Sequence, residues 1–289
     1  MLSEAQRIEV IGAARRGAYE HYLCALLAPP GARDDLLVLA AFEGELRHIV
    51  ETVGEPMLAE IRLQWWRDCV AAMVDGRQTG HPVGDALASL VVASHVSAAS
   101  LQQSIDARSV DTGHEPISTE PDLDDYLDQA DGEALARAAA AVSAALDLPL
   151  PEQALVRSAG RSIGLTRILL DLPERPPLRQ ALLLPGLPIQ EMSDPNALKT
   201  VDEAADHNDQ LTDQCRKYAD QAGTYLATLR PSWTTLSRGH RAALGPVALV
   251  GPYLRALQRL GCLEPHPGGV IAPVSRVARL WWAVRFARL

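Results

Sequence analysis

Apolar residues recur every three or four positions along most of the chain, and this spacing predicts helices rather than strands. The clearest case is a long helix predicted from about residue 34 to residue 53, which ends at the breaker Gly54-Glu55-Pro56. Its apolar stripe consists of Leu39, Phe42, Leu46, Ile49 and Val53. Residues 4–28 show the same spacing and stop at Pro29-Pro30-Gly31. Both segments are therefore predicted to be amphipathic helices that face a core.

The same pattern continues through the rest of the sequence and predicts an all-α fold. Further helices are expected at 57–74, around 84–107, from 121, from 131 to about 146, and at 151–172, 200–230, 236–261 and 274–288. The chain shows no strand pattern, no repeat of about 20 to 50 residues and no linker-like stretch that would divide it. We therefore expect one helical-bundle domain across residues 1–289.

Composition narrows the class of protein. Hydrophobic residues make up 47% of the 289 positions, but Phe, Trp and Tyr reach only 4%, so Leu, Ala and Val must fill the core. The net charge of −9 argues against a nucleic-acid partner, which needs a basic surface. Residues 1–17 lack the apolar run of a signal peptide. The longest apolar stretch, 243–254, is too short to span a bilayer. These features favour a cytoplasmic protein, soluble or peripheral to the inner membrane.

The four cysteines are too far apart to form a C-x-x-C pair. They are Cys24, Cys69, Cys215 and Cys262. Each has apolar or helical neighbours, so we expect buried free thiols in a reducing compartment rather than a disulfide framework or a zinc site.

The stretch FEGELRHIVE at 42–51 carries the first candidate chemistry. Glu43, Arg47 and Glu51 recur at four-residue spacing, so they lie along one face of the predicted helix. One interpretation is an exposed salt-bridge ladder, in which each pair contributes about 0.3–0.5 kcal/mol. The other is a former metal site in which Arg47 neutralises its carboxylate neighbours. His48 is a candidate general base, although a lone histidine on a helix is more often structural.

Six stretches follow one another in an order typical of a known family. They are LLAPPGARDDLLVLAAFEGELRHIVETV at 26–53, EPMLAEIRLQWWRD at 55–68, GRSIGLTRILLDLPER at 160–175, LLLP at 182–185, and the closing segments GPVALVGPYLRALQRLG and APVSRVARLWWA. Together they resemble the squalene/phytoene synthase superfamily. The resemblance implies an all-α bundle of the terpenoid synthase type around a deep central cavity. It also implies two aspartate-rich motifs facing each other across this cavity, which hold Mg²⁺ and so grip the diphosphates of two prenyl substrates.

Both motifs depart from the pattern of active members. The first resembles F/Y-C-R-x-x-D-D-x-x-D, and its positions of interest fall on Phe42, Glu43, Gly44, Arg47, His48 and Glu51. Arg47 and His48 stand at two aspartates, and only Glu51 remains as a carboxylate. The second motif resembles N-I-L-R-D-x-x-E-D at 167–175. There Asp171 and Glu174 remain, whereas Arg167 replaces Asn and Arg175 replaces the final Asp, and Pro173 disturbs the helix.

This loss of aspartates resembles a divergent branch of the superfamily, whose best-known eukaryotic member is an assembly factor for respiratory complex I. That branch shares the 55–68 stretch. The resemblance implies a non-catalytic protein without a metal cofactor, which binds an apolar isoprenoid or lipid, or a protein of a respiratory complex. The alternative is a Mg²⁺-dependent transferase that condenses prenyl diphosphates head to head, with Glu51, Asp171 and Glu174 as metal ligands.

Three residues outside the motifs are candidates for a pocket or a phosphate site. Trp65 and Trp66 lie about 100° apart on a helix, so one belongs in the core and the other, Trp66, is a candidate cavity residue. Arg33 and Arg67 are candidate phosphate ligands, or else they cap a helix or pair with acidic neighbours.

The segment 275–289 is basic and amphipathic. It contains Arg276, Arg279, Arg285 and Arg288, no acidic residue, and two tryptophans. Helices of this composition can lie in a membrane interface, so this segment is a candidate for peripheral membrane contact. The pattern favours the other interpretation, a core-packed last helix with solvated arginines.

Overall fold

A computed structural model describes residues 2–52, 55–112, 117–174, 185, 201–261 and 270–289. Their regular structure is entirely helical, which confirms the predicted all-α fold. The α-helices are α1 Glu4–Gly17, α2 Tyr19–Leu27, α3 Pro30–Thr52, α4 Pro56–Val74, α5 Pro82–Val92, α6 Ala98–Asp111, α7 Glu120–Leu127, α8 Glu133–Leu146, α9 Gln153–Asp171, α10 Val201–Trp233, α11 Arg238–Ala243, α12 Val250–Leu260 and α13 Pro273–Phe286. Within the described ranges, no helix is long and apolar enough to cross a membrane.

Three segments predicted as single helices are divided in the structure. Residues 4–28 form α1 and α2, because the backbone leaves the helical region at Ala18 (φ −142°, ψ 50°). Residues 84–107 fall into α5 and α6, separated by a turn that contains Ser94 with a positive φ of 59°. In 236–261, a 3₁₀ segment that includes Pro246 separates α11 from α12. Local backbone breaks of this kind leave the apolar spacing nearly unchanged, so the spacing alone did not reveal them.

The long helix α3 lies at the centre of the bundle and packs against α1, α2 and α8. Its stripe residues Phe42 and Leu46 are fully buried, as the periodicity predicts. The backbones of α1 and α3 approach closely where two glycines meet. A Cβ atom on Gly17 would lie 2.3 Å from the carbonyl oxygen of Gly44. A Cβ atom on Gly44 itself would lie 2.8 Å from the carbonyl oxygen of Ala13, so this position leaves no room for the arginine of the family motif.

Helix α9 packs along α10 and lies beside α8 and the π-helical turn Asp128–Gly132. The approach is again permitted by a glycine, since a Cβ on Gly160 would lie 2.4 Å from the Cα of Gly132. The second motif helix is thereby held against the turn that carries Asp131.

The cysteine prediction is confirmed for the part of the chain that is described. Cys24 and Cys69 are buried and free, and Cys215 is buried. Burial raises the pKa of the Cys24 thiol well above its usual value. Cys262 lies outside the described residues. These three thiols therefore act as small core side chains.

Candidate functional site: a central cavity lined by arginines

A cavity of about 270 Å³ lies between the start of α2, the second half of α3, the end of α9, α12 and α13. Its charged lining consists of Arg16, Glu20, Arg47, Arg167, Asp171 and Arg276. Arg47 comes from the first motif, and Arg167 and Asp171 come from the second. The structure thus brings residues of both motifs to one cavity, which is the relative placement that the family resemblance implies.

Arg167 is buried and already paired. Its Nη2 donates to Oδ2 of Asp131 at 2.9 Å and to the hydroxyl of Tyr126 at 2.9 Å. Burial alone would raise the pKa of Asp131, but the charges of Arg167 and Arg108 outweigh it and lower this pKa to about 2. At neutral pH, Asp131 therefore carries the negative charge that balances Arg167.

Glu43 also belongs to a buried ion pair, and its partner is not Arg47. Its carboxylate accepts a hydrogen bond from Nη2 of Arg137 at 2.5 Å and lies 3.6 Å from Nη2 of Arg108. The ladder expected from the four-residue spacing is therefore not formed at this end. The side chain of Glu51, at the other end, lies outside the described part of the structure.

These pairs join into one cluster, which we call the buried network. It consists of Glu43, Arg108, Asp111, Tyr126, Asp131, Arg137 and Arg167. Tyr126 connects its parts, since its hydroxyl donates to Oδ1 of Asp111 at 2.7 Å and accepts from Arg167. With three arginines and three carboxylates, the network is formally neutral, as buried charges require.

Arg47 differs from these arginines. It is half-buried and lines the cavity. Its Nε atom is buried without a hydrogen-bond partner, and no carboxylate of the described residues forms an ion pair with it. Its charge still reaches its neighbours, because it lowers the pKa values of Glu20, His21 and Asp131 as a secondary cause. Within the described lining, the other three arginines each have an ion-pair partner and Arg47 has none.

A second cluster, the cavity group, surrounds Arg47 and consists of Glu20, His21, Arg47, Tyr253 and Arg276. The hydroxyl of Tyr253 donates to Oε1 of Glu20, and Nε of Arg276 lies 3.8 Å from the same oxygen. Burial raises the pKa of Glu20 despite these contacts. Burial, followed by the charge of Arg47, lowers the pKa of His21 to about 4. At neutral pH, His21 is therefore uncharged.

Sequence reasoning missed Asp131, Arg137 and every member of the cavity group except Arg47 and Arg276. For Asp131 the sequence did contain a signal of a buried charge, because this acidic residue lies within the run of small residues at 130–141. For Glu20, His21 and Tyr253 no motif marks the position, and only packing brings them together.

The candidate pocket residues outside the motifs do not reach the cavity. Trp66 is core, 2% exposed, with its ring centroid 5.4 Å from that of Phe42. Arg67 pairs with Glu60 and Asp106, each at 2.7 Å. Arg33 donates to the carbonyl oxygen of Ala28. These contacts place the three residues in the core or at the ends and surfaces of helices, and a pocket or phosphate role for them stays a prediction.

The other motif residues are placed as follows. Phe42 is buried beneath the guanidinium of Arg137, 5.9 Å from its ring centroid. His48 is exposed and is not among the described residues that line the cavity, and its role as a general base stays a prediction. Helix α9 ends at Asp171 and passes into the 3₁₀ turn Leu172–Glu174, as expected next to Pro173. The side chain of Glu174 and all of Arg175 lie outside the described residues.

Within the described residues, the donors at the cavity do not match those that a Mg²⁺ ion prefers, and the side chains of the candidate ligands Glu51 and Glu174 lie outside these residues. The ion prefers carboxylate and phosphate oxygens, whereas the cavity presents Arg47 and Arg167 at motif positions. Among the described residues, no three His, Cys, Asp or Glu side chains are arranged to hold a metal. Asp171 alone supplies a motif carboxylate to the cavity within the described residues.

Comparison with solved structures places the fold. The chain superposes on a dehydrosqualene synthase in complex with ligand with a TM-score of 0.70, over 98% of both chains and at 15% sequence identity. It superposes on squalene synthase HpnC from Alicyclobacillus acidocaldarius with a TM-score of 0.66, over 92% of this chain and 98% of that one, at 16% identity. At such low identities, the likeness shows a shared fold.

Curated relatives align with a shorter part of the chain. The Mus musculus protein NADH dehydrogenase (ubiquinone) complex I, assembly factor 6 is 27% identical over 121 residues, which cover 42% of this chain and 36% of that protein. The Homo sapiens protein of the same name is 26% identical over 114 residues, 39% of this chain and 34% of that protein. The alignment thus spans about a third of the length of these relatives.

A model of the family described as squalene/phytoene synthase matches residues 14–270, which include both motif helices and the whole cavity lining except Arg276. Since this match covers most of the sequence and agrees with the observed architecture, the chain belongs to the squalene/phytoene synthase family.

Proposed function

We propose that this chain is a non-catalytic member of its family, whose cavity binds a single isoprenoid or lipid molecule through an anionic head group without a metal ion. One observation carries the proposal: Arg47, at a motif position where active relatives have an aspartate, lines the cavity without an ion-pair partner among the described residues. An arginine there supplies the positive charge that a metal ion would otherwise supply, and its planar fork matches phosphate oxygens.

The charges of the lining support an anionic ligand. Apart from Arg167, whose charge Asp131 balances, the described lining holds three arginines, at 16, 47 and 276, and two carboxylates, Glu20 and Asp171, so its formal charge is +1. A Mg²⁺ ion beside Arg47 would meet like-charge repulsion of several kcal/mol at short range in a poorly solvated site. A phosphate group would instead be attracted and would satisfy the donors of Arg47.

The size of the cavity supports one ligand rather than two. Its volume of about 270 Å³ lies slightly below the range of about 300–1,000 Å³ that is typical of small-molecule sites. A second cavity, between His21 and Glu43, measures only about 20 Å³, which is room for about one water molecule. The buried network occupies the adjoining interior. Condensation of two long prenyl chains needs more space than this arrangement leaves.

The walls offer an apolar surface as well as charges. Ile163, Leu170 and Val250 line the cavity together with the aromatic ring of Tyr253. A ligand with an anionic head and a short apolar segment matches this mixture. The partial similarity to complex I assembly factors suggests that such binding serves the assembly of a respiratory complex. Cytoplasmic placement stays a prediction.

Isothermal titration calorimetry with a non-hydrolysable farnesyl diphosphate analogue tests the proposal. We expect binding that is equal with Mg²⁺ and with EDTA, and no diphosphate release from farnesyl diphosphate. Arg47→Met should weaken binding about tenfold to a hundredfold, because one charge-assisted contact is lost. Arg62→Met, which removes an exposed arginine from α4, is the matched control and should leave the affinity unchanged.

The alternative is a Mg²⁺-dependent transferase that joins prenyl diphosphates head to head. It is favoured by Asp171, a motif carboxylate that does line the cavity. Binding that requires micromolar Mg²⁺, or diphosphate release on turnover, would replace our proposal with this one.

A further inference from the structure

Helix α13 has one buried face and one exposed face. Leu280, Ala283 and Val284 are buried against the core. The opposite face exposes apolar side chains that make up much of its surface. They are Val274 (81% exposed), Val277 (45%), Trp281 (43%), Trp282 (44%) and Phe286 (46%). One face of this helix therefore packs against the core, and the opposite face exposes large apolar side chains to solvent.

Three of these side chains form a continuous aromatic surface. The ring centroids of Trp281 and Trp282 lie 5.6 Å apart, and those of Phe286 lie 5.0 and 4.9 Å from the two tryptophans. Exposed clusters of large rings mark interaction sites more often than single exposed residues do. The cluster is ordered by its own contacts and not by burial in the core.

The same face is strongly basic. Arg279, Arg285 and Arg288 are exposed, residues 270–289 contain no acidic residue, and none of the three arginines forms an ion pair within the described part of the chain. Two of them lie over the aromatic cluster, Arg285 at 5.6 Å from the Phe286 centroid and Arg288 at 5.5 Å from the Trp282 centroid. This local positive charge contrasts with the net charge of −9 of the whole protein.

We propose that this face docks onto a membrane surface that contains anionic lipids. We call it the α13 surface, and it consists of Val274, Val277, Arg279, Trp281, Trp282, Arg285, Phe286 and Arg288. Tryptophan favours the boundary between headgroups and acyl chains, and arginine at the same level binds lipid phosphates. The complementarity of charge selects an anionic membrane as the partner.

A second exposed apolar face, on α4, lacks the positive charge of the α13 surface. Met57, Leu58, Ile61 and Trp65 are exposed there. However, the segment 55–68 holds three acidic and two basic residues and so sums to −1. It offers no attraction to an anionic surface, and it serves as the internal control.

The position of α13 links the membrane to the cavity. Arg276 of this helix lines the cavity and pairs with Glu20. A helix with its side chains is about 10–12 Å across, so a membrane held against the α13 surface lies roughly one helix diameter from the cavity wall. Docking would thus bring lipids close to the cavity.

Vesicle sedimentation tests the proposal on the full chain. We expect binding to vesicles of phosphatidylcholine with phosphatidylglycerol, little binding to pure phosphatidylcholine, and a fall in binding as salt is added. Replacing Arg279, Arg285 and Arg288 by Gln should weaken binding roughly a hundredfold, since each arginine near an anionic membrane contributes about a fivefold change in affinity. Trp281→Ser with Trp282→Ser should also abolish most of the binding.

Two controls make the result decisive. Met57→Ser with Ile61→Ser on α4 should leave vesicle binding intact, and an equal loss there would overturn the proposal. Arg47→Met should also leave it intact, which separates this surface from the cavity. Equal recovery of the unmodified protein in the supernatant with both vesicle types would refute membrane docking. This readout needs no variant, so it holds even if a variant fails to fold.

Discussion

The buried network and the cavity group share helix α3, but their arginines have different surroundings. In the buried network, Arg108, Arg137 and Arg167 each have a carboxylate partner and are almost fully buried. In the cavity group, Arg47 has no such partner in the described structure, and Arg276 is 3.8 Å from Glu20. Residue type at a motif position therefore does not fix the role of the residue. The role is fixed by the ion-pair partner of the residue and by its degree of burial.

The two motif arginines illustrate this difference. Arg167 stands where the family motif has Asn, and Asp131 compensates its charge, so it stabilises the fold. Arg47 stands where the motif has Asp, it has no ion-pair partner among the described residues, and we propose that its charge binds a ligand. The same kind of substitution has thus produced a structural residue on α9 and a candidate binding residue on α3.

The largest effect is expected in the buried network. Arg167→Met leaves Asp131 buried without its main partner, which should lower the free energy of unfolding by about 3–5 kcal/mol. The double variant Arg167→Met with Asp131→Asn removes both charges and should recover most of this loss. Urea denaturation of the three proteins measures it. A single variant that costs under about 1 kcal/mol would show that the pair is not structurally important.

Glu43→Gln tests the other end of the network. It removes the charge that Arg137 and Arg108 share, and we expect a loss of about 2 kcal/mol in urea denaturation. The matched control is Glu45→Gln, two residues along the same helix. Glu45 is paired with the exposed Arg16 at 3.8 Å, so its loss should cost less than about 1 kcal/mol. Equal losses in the two variants would contradict the distinction between buried and open pairs.

The pH dependence of stability should separate two members of the cavity group. The pKa of His21 is lowered from 6.5 to about 4 in the folded protein. Neutral His21 therefore contributes to the free energy of unfolding above pH 6.5, and this contribution is lost as the pH falls from about 6.5 to about 4. We expect a loss of about 1–2 kcal/mol over this range. The pKa of Glu20 is raised, so its contribution is present below 4.5 and lost as the pH rises through its folded pKa.

The variant His21→Asn sharpens this test. It removes the contribution of the histidine and leaves that of Glu20. The free energy of unfolding, measured by urea denaturation, should therefore fall as the pH rises from about 4.5 to the folded pKa of Glu20. An unchanged pH profile would mean that His21 is solvated and that the cavity is open to water at this point.

The smallest effect on stability is expected for Arg47→Met, within about 0.5 kcal/mol, because no ion pair among the described residues is broken. The same variant should raise the pKa of His21, since the charge of Arg47 contributes to its lowering. Titration of the His21 ring signals by NMR measures this shift. A loss of several kcal/mol would reveal a structural partner for Arg47 and would contradict its proposed role as a ligand-binding residue.

The sequence by itself determined the class of fold and the helices that carry the site. Apolar spacing predicted an all-α protein, and motif resemblance identified α3 and α9 as the helices that meet at the cavity. Helix periodicity and core burial are local or semi-local properties, so they can be read from short windows. The buried thiols of Cys24, Cys69 and Cys215 followed from their apolar surroundings.

Only the tertiary structure decided which charges pair. Glu43 meets Arg137, which is 94 positions away, and Glu20 meets Tyr253, 233 positions away. The local rule predicted a ladder of Glu43 and Arg47, since residues four apart are neighbours on a helix. However, four residues also turn the helix by about 40° and advance it by about 6 Å. That offset is enough to place Glu43 against α6 and α8 and Arg47 in the cavity, because each side chain takes the partner that packing provides.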